Sequence, residues 1–197
     1  MTRSFPVAPW RAASMFVVLA VAACPITSAQ AENDAAKPAA AEKIARGEYL
    51  VTIAACNDCH TPLKMGPNGP EPDMSRRLSG HPENLAMPEA PTLPSGPWSN
   101  SFSATNTAWS GPWGVSFTAN LTPDKETGLG KWNQRTFTDT IRTGRHMGRG
   151  RPLLPPMPAP MYFTDADLEA IFVYLQSIPA IQNRVPEPRP PAMAAAN

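Results

Sequence analysis

Apolar positions recur at helical spacing in three stretches of this chain, and nowhere do they alternate at strand spacing for more than a few residues. Between Ala41 and Ala55, Ile44, Gly47, Leu50, Val51 and Ala54 share one face, three and four apart, which predicts an amphipathic helix that ends by delivering Cys56. Gly47 in its middle costs about 1 kcal/mol relative to alanine, so this position is expected to need a surface without a side chain against another helix. Residues 132–143, WNQRTFTDTIRT, predict a short helix closed by Gly144. The clearest helix opens at Thr164 with TDADLEAIFVYLQSI. Thr164 is its N-cap, Asp167 follows three residues on as in a capping box, and Leu168, Ile171, Phe172 and Leu175 line one face before Pro179 stops it.

Between these helices the pattern breaks down. Residues 61–115 hold ten prolines and six glycines with Trp98, Trp109 and Trp113, and read as a long loop inserted between the first two helices. Loops of that length in a compact domain are often functional. The tryptophans argue against disorder, because disordered segments are poor in aromatics. A covering wrapped round the core and a partner-docking surface are the two expectations for it. Residues 32–40 predict a flexible lead-in, and 181–197 a disordered tail.

Composition adds a compartment. Arg3 and Arg11 precede the apolar run MFVVLAVAAC, from Met15 to Cys24, and SAQA then ends at Ala31. This is the form of a signal peptide over residues 1–31, too short in its apolar part to span a bilayer. Its removal takes away two of the 17 basic residues and none of the 16 acidic ones, leaving a formal charge of −1 and no basic excess for nucleic acid. Val21-Ala22-Ala23-Cys24 also resembles a lipobox, which would anchor the chain at a membrane through Cys24. Either processing leaves Cys56 and Cys59 as the two thiols of the folding unit.

Those thiols lie in CNDCH, residues 56–60, a spacing used by redox dithiols, by half-sites for zinc and by covalent haem attachment. A thioredoxin-like dithiol sits between a strand and a helix of an alternating chain, and no such strands are predicted. Zinc needs four ligands, and beyond these cysteines only His60, His81 and His146 are available. Haem c uses every residue of the motif: Cys56 and Cys59 as thioethers to the vinyl groups, and His60 as proximal axial ligand. For the opposite face of the iron, Met157 in the proline-stiffened PPMPAPMY is the first candidate, with Met161, His146, His81 or an open position as alternatives. Methionine is also a common core filler.

Three stretches, ARGEYLVTIAACNDCH, ANLTPDKETGLGKW and PPMPAPMYFTDADLEAIFVYLQSIP, resemble class I bacterial c-type cytochromes. The middle one is similar to the haem domains of cytochrome subunits that serve periplasmic alcohol, sugar and aldehyde dehydrogenases. Those subunits often carry several haems, whereas this chain has one CxxCH. The resemblance covers roughly residues 41–60 and 115–180 and implies an all-α cytochrome c-like domain over 41–180. In it the first and last helices would cross near the haem, with Gly47 against Tyr174 and Trp132 lining the haem pocket near a propionate. Arg142, Arg145, Arg149 and Arg151 with His146 form a local positive patch beside the methionine loop, fit to anchor a propionate, to steer an acidic redox partner, or simply to be solvated.

The expectation is therefore a periplasmic one-electron carrier with one covalent haem c, bound through Cys56, Cys59, His60, Trp132 and Met157 and ligated by His60 and Met157. No catalytic acid, base or nucleophile stands out, so it is expected not to be an enzyme. The expected partners are periplasmic redox proteins, including a dehydrogenase catalytic subunit. Two alternatives are a haem-bearing subunit of a dehydrogenase complex and a gas sensor or peroxidase-like enzyme with a displaceable sixth ligand.

Overall fold

The first and last helices meet at a residue that has no side chain. The computed structural model describes residues 28–91, 93 and 97–191. Helix α1 runs from Ser28 to Ile53, and Asp165–Ser177 forms the last helix of the chain. A Cβ on Gly47 would overlap the carbonyl oxygen of Ala170 and lie 2.6 Å from Cβ of Tyr174, both on that last helix. The crossing buries Leu50 and Val51 against Leu168, Ile171, Tyr174 and Leu175. Lys43–Glu169 and Arg46–Asp167 ion pairs flank it at the surface, where such pairs add little.

The other helices complete this core. A single turn, α2, carries Cys56–His60 directly after α1. Helix α3, Gln134–Thr143, is capped by the Asn133 carboxamide accepting from the Thr136 amide, and ends at Gly144 with a left-handed φ of 65°. Its Phe137 and Ile141 pack inward, and the Phe137 ring lies 5.5 Å from that of Phe172. The last helix is α4. Its cap is the Thr164 hydroxyl, which accepts from the Asp167 amide at 3.1 Å.

The all-α expectation is wrong. Residues 61–117 contain two antiparallel sheets, so the fold is mixed α and β. The first pairs β1, Leu63–Gly66, with β2, Gly69–Pro72, across a turn at Pro67-Asn68. The second has three strands in sequence order: β3, Ser101–Phe102; β4, Ala108–Gly111; and β5, Gly114–Phe117, the last two joined at Pro112-Trp113. The physical reason is strand length. Four-residue strands bury too few positions to show a period of two, and Pro70 and Pro72 are tolerated because β2 is an edge strand. Gly114, with φ +94°, packs against the backbone of Arg189 and Pro190 where any Cβ would collide.

Residues 181–191, expected in a disordered tail, are tied to this sheeted part. Asn183 is fully buried. Its side-chain amide donates to the carbonyls of Ser79 and His81, and its oxygen accepts from Arg76 and the Glu83 amide. Further on, Val115 and Arg189 exchange backbone hydrogen bonds of 2.9 Å beside β5. Residues 1–27, with Cys24 and most of the expected signal segment, lie outside the described residues. No helix among the described residues is long and apolar enough to cross a membrane.

Because the α1–α4 crossing is set by one missing side chain, Gly47→Ala is expected to cost about 1–3 kcal/mol through overpacking, read as a lower urea midpoint. A loss under about 0.5 kcal/mol, the size of a neutral surface change, would show that the helices can part freely at this point.

Candidate functional site

The turn α2 presents Cys56, Cys59 and His60 from one short helix, started by Ala55 in the left-handed region at φ 58°. Neither thiol is in a disulfide. Burial pushes Cys56 up to about 11, reinforced by the Asp58 carboxylate and the neighbouring Cys59 and opposed by a backbone hydrogen bond. Cys59 is raised as well, by burial and then Asp58. A working dithiol needs the opposite, a thiol shifted down toward neutrality. Zinc fares no better: among the described residues no group of three or more His, Cys, Asp or Glu side chains gathers.

His60 is buried, and its Nδ1 lies 2.8 Å from the carbonyl oxygen of Ala119. A carbonyl can only accept, so Nδ1 carries the proton and donates, which leaves Nε2 as the basic nitrogen. Burial lowers the imidazole's affinity for a second proton, partly offset by this bond, so the ring is held neutral. A neutral imidazole fixed by an Nδ1–H bond to a backbone carbonyl is the form in which histidine binds a metal. Nothing in the sequence hints at Ala119 in this role, because a backbone acceptor has no side-chain signature.

Met157 and Met161 both lie half-buried against the core that also meets Cys56 and Trp132. The two ends of their loop are fixed to α3, by the Leu153 amide donating to the Gly144 carbonyl and the Met161 amide to the Ile141 carbonyl. Between them, Met157 and Ala159 form internal turn bonds to Leu154 and Met157. Trp132 stands edge-on to His146, with ring centroids 5.7 Å apart. His146 itself is exposed. His81 is differently placed: buried in the sheeted part, its Nδ1 is 2.9 Å from the Thr107 hydroxyl and its Nε2 3.1 Å from the Leu85 carbonyl. With both nitrogens engaged, His81 is a structural residue and leaves the set of ligand candidates.

The arginine loop keeps its charge. Arg142 is paired with Asp165 at 2.8 Å, but Arg145 and Arg151 donate to the Gly150 and Pro152 carbonyls, and Arg149 forms no ion pair among the described residues. Most surface cations elsewhere, Lys43, Arg46, Lys64, Arg77 and Lys131 among them, have a carboxylate partner. Arg145, Arg149 and Arg151 thus place three cations without an ion pair among the described residues within seven positions, immediately before the methionine loop.

Cys56, Met157 and Met161 pack against one helical core, and the Cys56–His60 turn adds a second thiol and a buried neutral histidine, side chains of the kinds that can hold a haem. Comparison with known proteins finds two relatives. Over 87 residues the chain is 38% identical to a nicotinate dehydrogenase subunit from Pseudomonas putida, a stretch covering 40% of this chain and 7% of that protein. Over 173 residues it is 28% identical to the fructose dehydrogenase cytochrome subunit of Gluconobacter japonicus, covering 86% of this chain and 28% of that protein. The chain therefore spans less than a third of either relative's length. No protein-family model matches it. Both relatives are named as subunits of dehydrogenases, one of them as a cytochrome subunit.

Proposed function

We propose that this chain is a periplasmic carrier of single electrons, not itself catalytic, that holds one haem c through Cys56 and Cys59 with His60 and Met157 as axial ligands. The observation that carries the reading is the His60 Nδ1–H bond to Ala119, which leaves a neutral Nε2 without a hydrogen-bond partner among the described residues, next to two unpaired thiols. The residues fit the group in a second respect. Among the described residues the indole N–H groups of Trp109 and Trp113 and the hydroxyls of Thr118 and Tyr174 are buried without a partner, and such groups cost about 1–3 kcal/mol each unless something supplies an acceptor. Haem brings two carboxylates.

When bound, haem supplies an iron that alternates between ferric and ferrous states. The chain's own part is to ligate, to exclude water and to present a docking face. Cys56 and Cys59 would hold the group covalently, His60 is held in one tautomer by Ala119, and the Met157 thioether would favour the reduced state. The core around Leu50, Leu168 and Phe172 keeps the surroundings of low polarity. The fructose dehydrogenase relative is named as a cytochrome subunit, which supports a catalytic subunit of a dehydrogenase as electron donor. The unpaired arginines supply an attractive field for an acidic partner or electron acceptor.

Haem staining that resists acid-acetone extraction is expected in the exported protein and absent from Cys56→Ala/Cys59→Ala. Its survival in the double variant would refute covalent attachment. The ferric sulfur-to-iron charge-transfer band is expected to vanish in Met157→Ala, with a lower reduction potential, and to persist in Met161→Ala. The reverse result would assign the ligand to Met161, and a band unchanged in both would place it outside this loop.

Ferricyanide, an anionic oxidant, is expected to oxidise the reduced protein more slowly as salt is added. Converting Arg145, Arg149 and Arg151 to Glu should slow the low-salt reaction about tenfold and reverse its salt dependence. A salt response unchanged by the triple substitution would remove the loop from the docking face.

A further inference from the structure

The loop that holds Met157 has few anchors of its own. Pro155, Pro156, Pro158 and Pro160 have no amide proton to donate. Among the described residues, the hydrogen bond that reaches 154–160 from outside the segment comes from Ser116, whose hydroxyl donates to the Pro155 carbonyl at 2.5 Å. The alternative acceptor, the Trp109 carbonyl, is at 3.4 Å and loses the single hydroxyl proton to the nearer oxygen.

Ser116 is 7% exposed and lies in β5, a strand held on both sides, by β4 through the Trp109↔Ser116 register and by Arg189 through Val115. Three residues further along, the same strand's continuation offers the Ala119 carbonyl that accepts from His60. Between these anchors the backbone is fixed again, by the Thr118 amide donating to Thr107 and the Thr118 carbonyl accepting from His81. About 10 Å of extended chain therefore connects the support of the histidine with the support of the methionine loop.

We propose that Ser116 is a positioning residue for Met157, and that β5, which closes the Pro- and Trp-rich insert, is a brace holding the α2 turn and the methionine loop at a fixed separation. This rests on the reading of His60 and Met157 as axial ligands. A thioether is a weak ligand, so a loop free to move outward gives way to an external one. The Ser116 bond opposes that movement without touching the iron.

The test is competition by imidazole for the ferric, haem-loaded protein, followed by loss of the sulfur band. Ser116→Ala is expected to bind imidazole about three- to tenfold more tightly than the wild type, the equivalent of one net hydrogen bond. It should also exchange the Met157 and Ala159 amide protons faster. Ser116→Thr, which keeps the hydroxyl, is expected to restore wild-type affinity. If the wild type shows the band but the alanine variant has unchanged affinity and exchange, or if threonine fails to restore either, the brace is refuted and the ligand assignment stands. A wild-type protein without the band refutes the ligand assignment and the brace together.

Discussion

The contact between Gly47 and the α4 backbone sets the geometry on which the rest of this protein is built. With the Ala170 carbonyl and Tyr174 pressed onto a residue that has no side chain, α1 and α4 cross at a separation that a side chain at 47 would forbid. That fixes where α1 ends, and so where Cys56, Cys59 and His60 emerge in the turn that follows. It also fixes the start of α4, which takes over from the methionine loop at the Thr164 cap. Two segments about a hundred residues apart in sequence are thereby brought to one core, with Cys56, Trp132, Met157 and Met161 all packed against it.

The insert between the first two parts of this core is not a passive covering. Its last strand, β5, supplies the Ser116 hydroxyl that meets the methionine loop and runs on into the stretch that supplies the Ala119 carbonyl orienting His60. The insert is itself secured from the far end of the chain, where the buried Asn183 joins Arg76, Ser79, His81 and Glu83 in one network. A buried polar hub of this kind is tolerated because its side-chain groups are satisfied. Its effect is to make the sheeted part rigid in places where the sequence contains little to pack.

The helices were legible where they have an apolar face or their own end signals: Gly47 and Leu50 on the face of α1, Gly144 after α3, Thr164 and Pro179 around α4. Residues 28–40 of α1, alanine-rich and polar and expected as the end of a signal segment and a flexible lead-in, are helical in the structure. The sheets were not, because strands of four residues with prolines at 70 and 72 present no usable alternation. Two local signs were there to be weighed, Asn68-Gly69 between short extended runs and the paired glycines 111 and 114 around Pro112-Trp113, both of them hairpin chemistry. At the site, Cys56, Cys59 and His60 were readable because their chemistry depends on contiguous spacing. Ala119 and Ser116 were invisible for the opposite reason: one acts through its backbone, the other is a common serine, and only folding brings either near its partner. His81 shows the reverse error, a histidine that looks available in sequence and has both ring nitrogens occupied in the structure.

On the proposed reading, the likeness to dehydrogenase subunits, the neutral histidine and the unpaired thiols converge on one group that one short turn would hold. A pyridine haemochrome spectrum combined with the intact mass of the exported protein tests that convergence most directly. The account predicts a c-type spectrum at one haem per chain and a polypeptide heavier than its processed sequence by one haem. A colourless protein whose mass matches the polypeptide alone, with Cys56 and Cys59 unmodified, would contradict it.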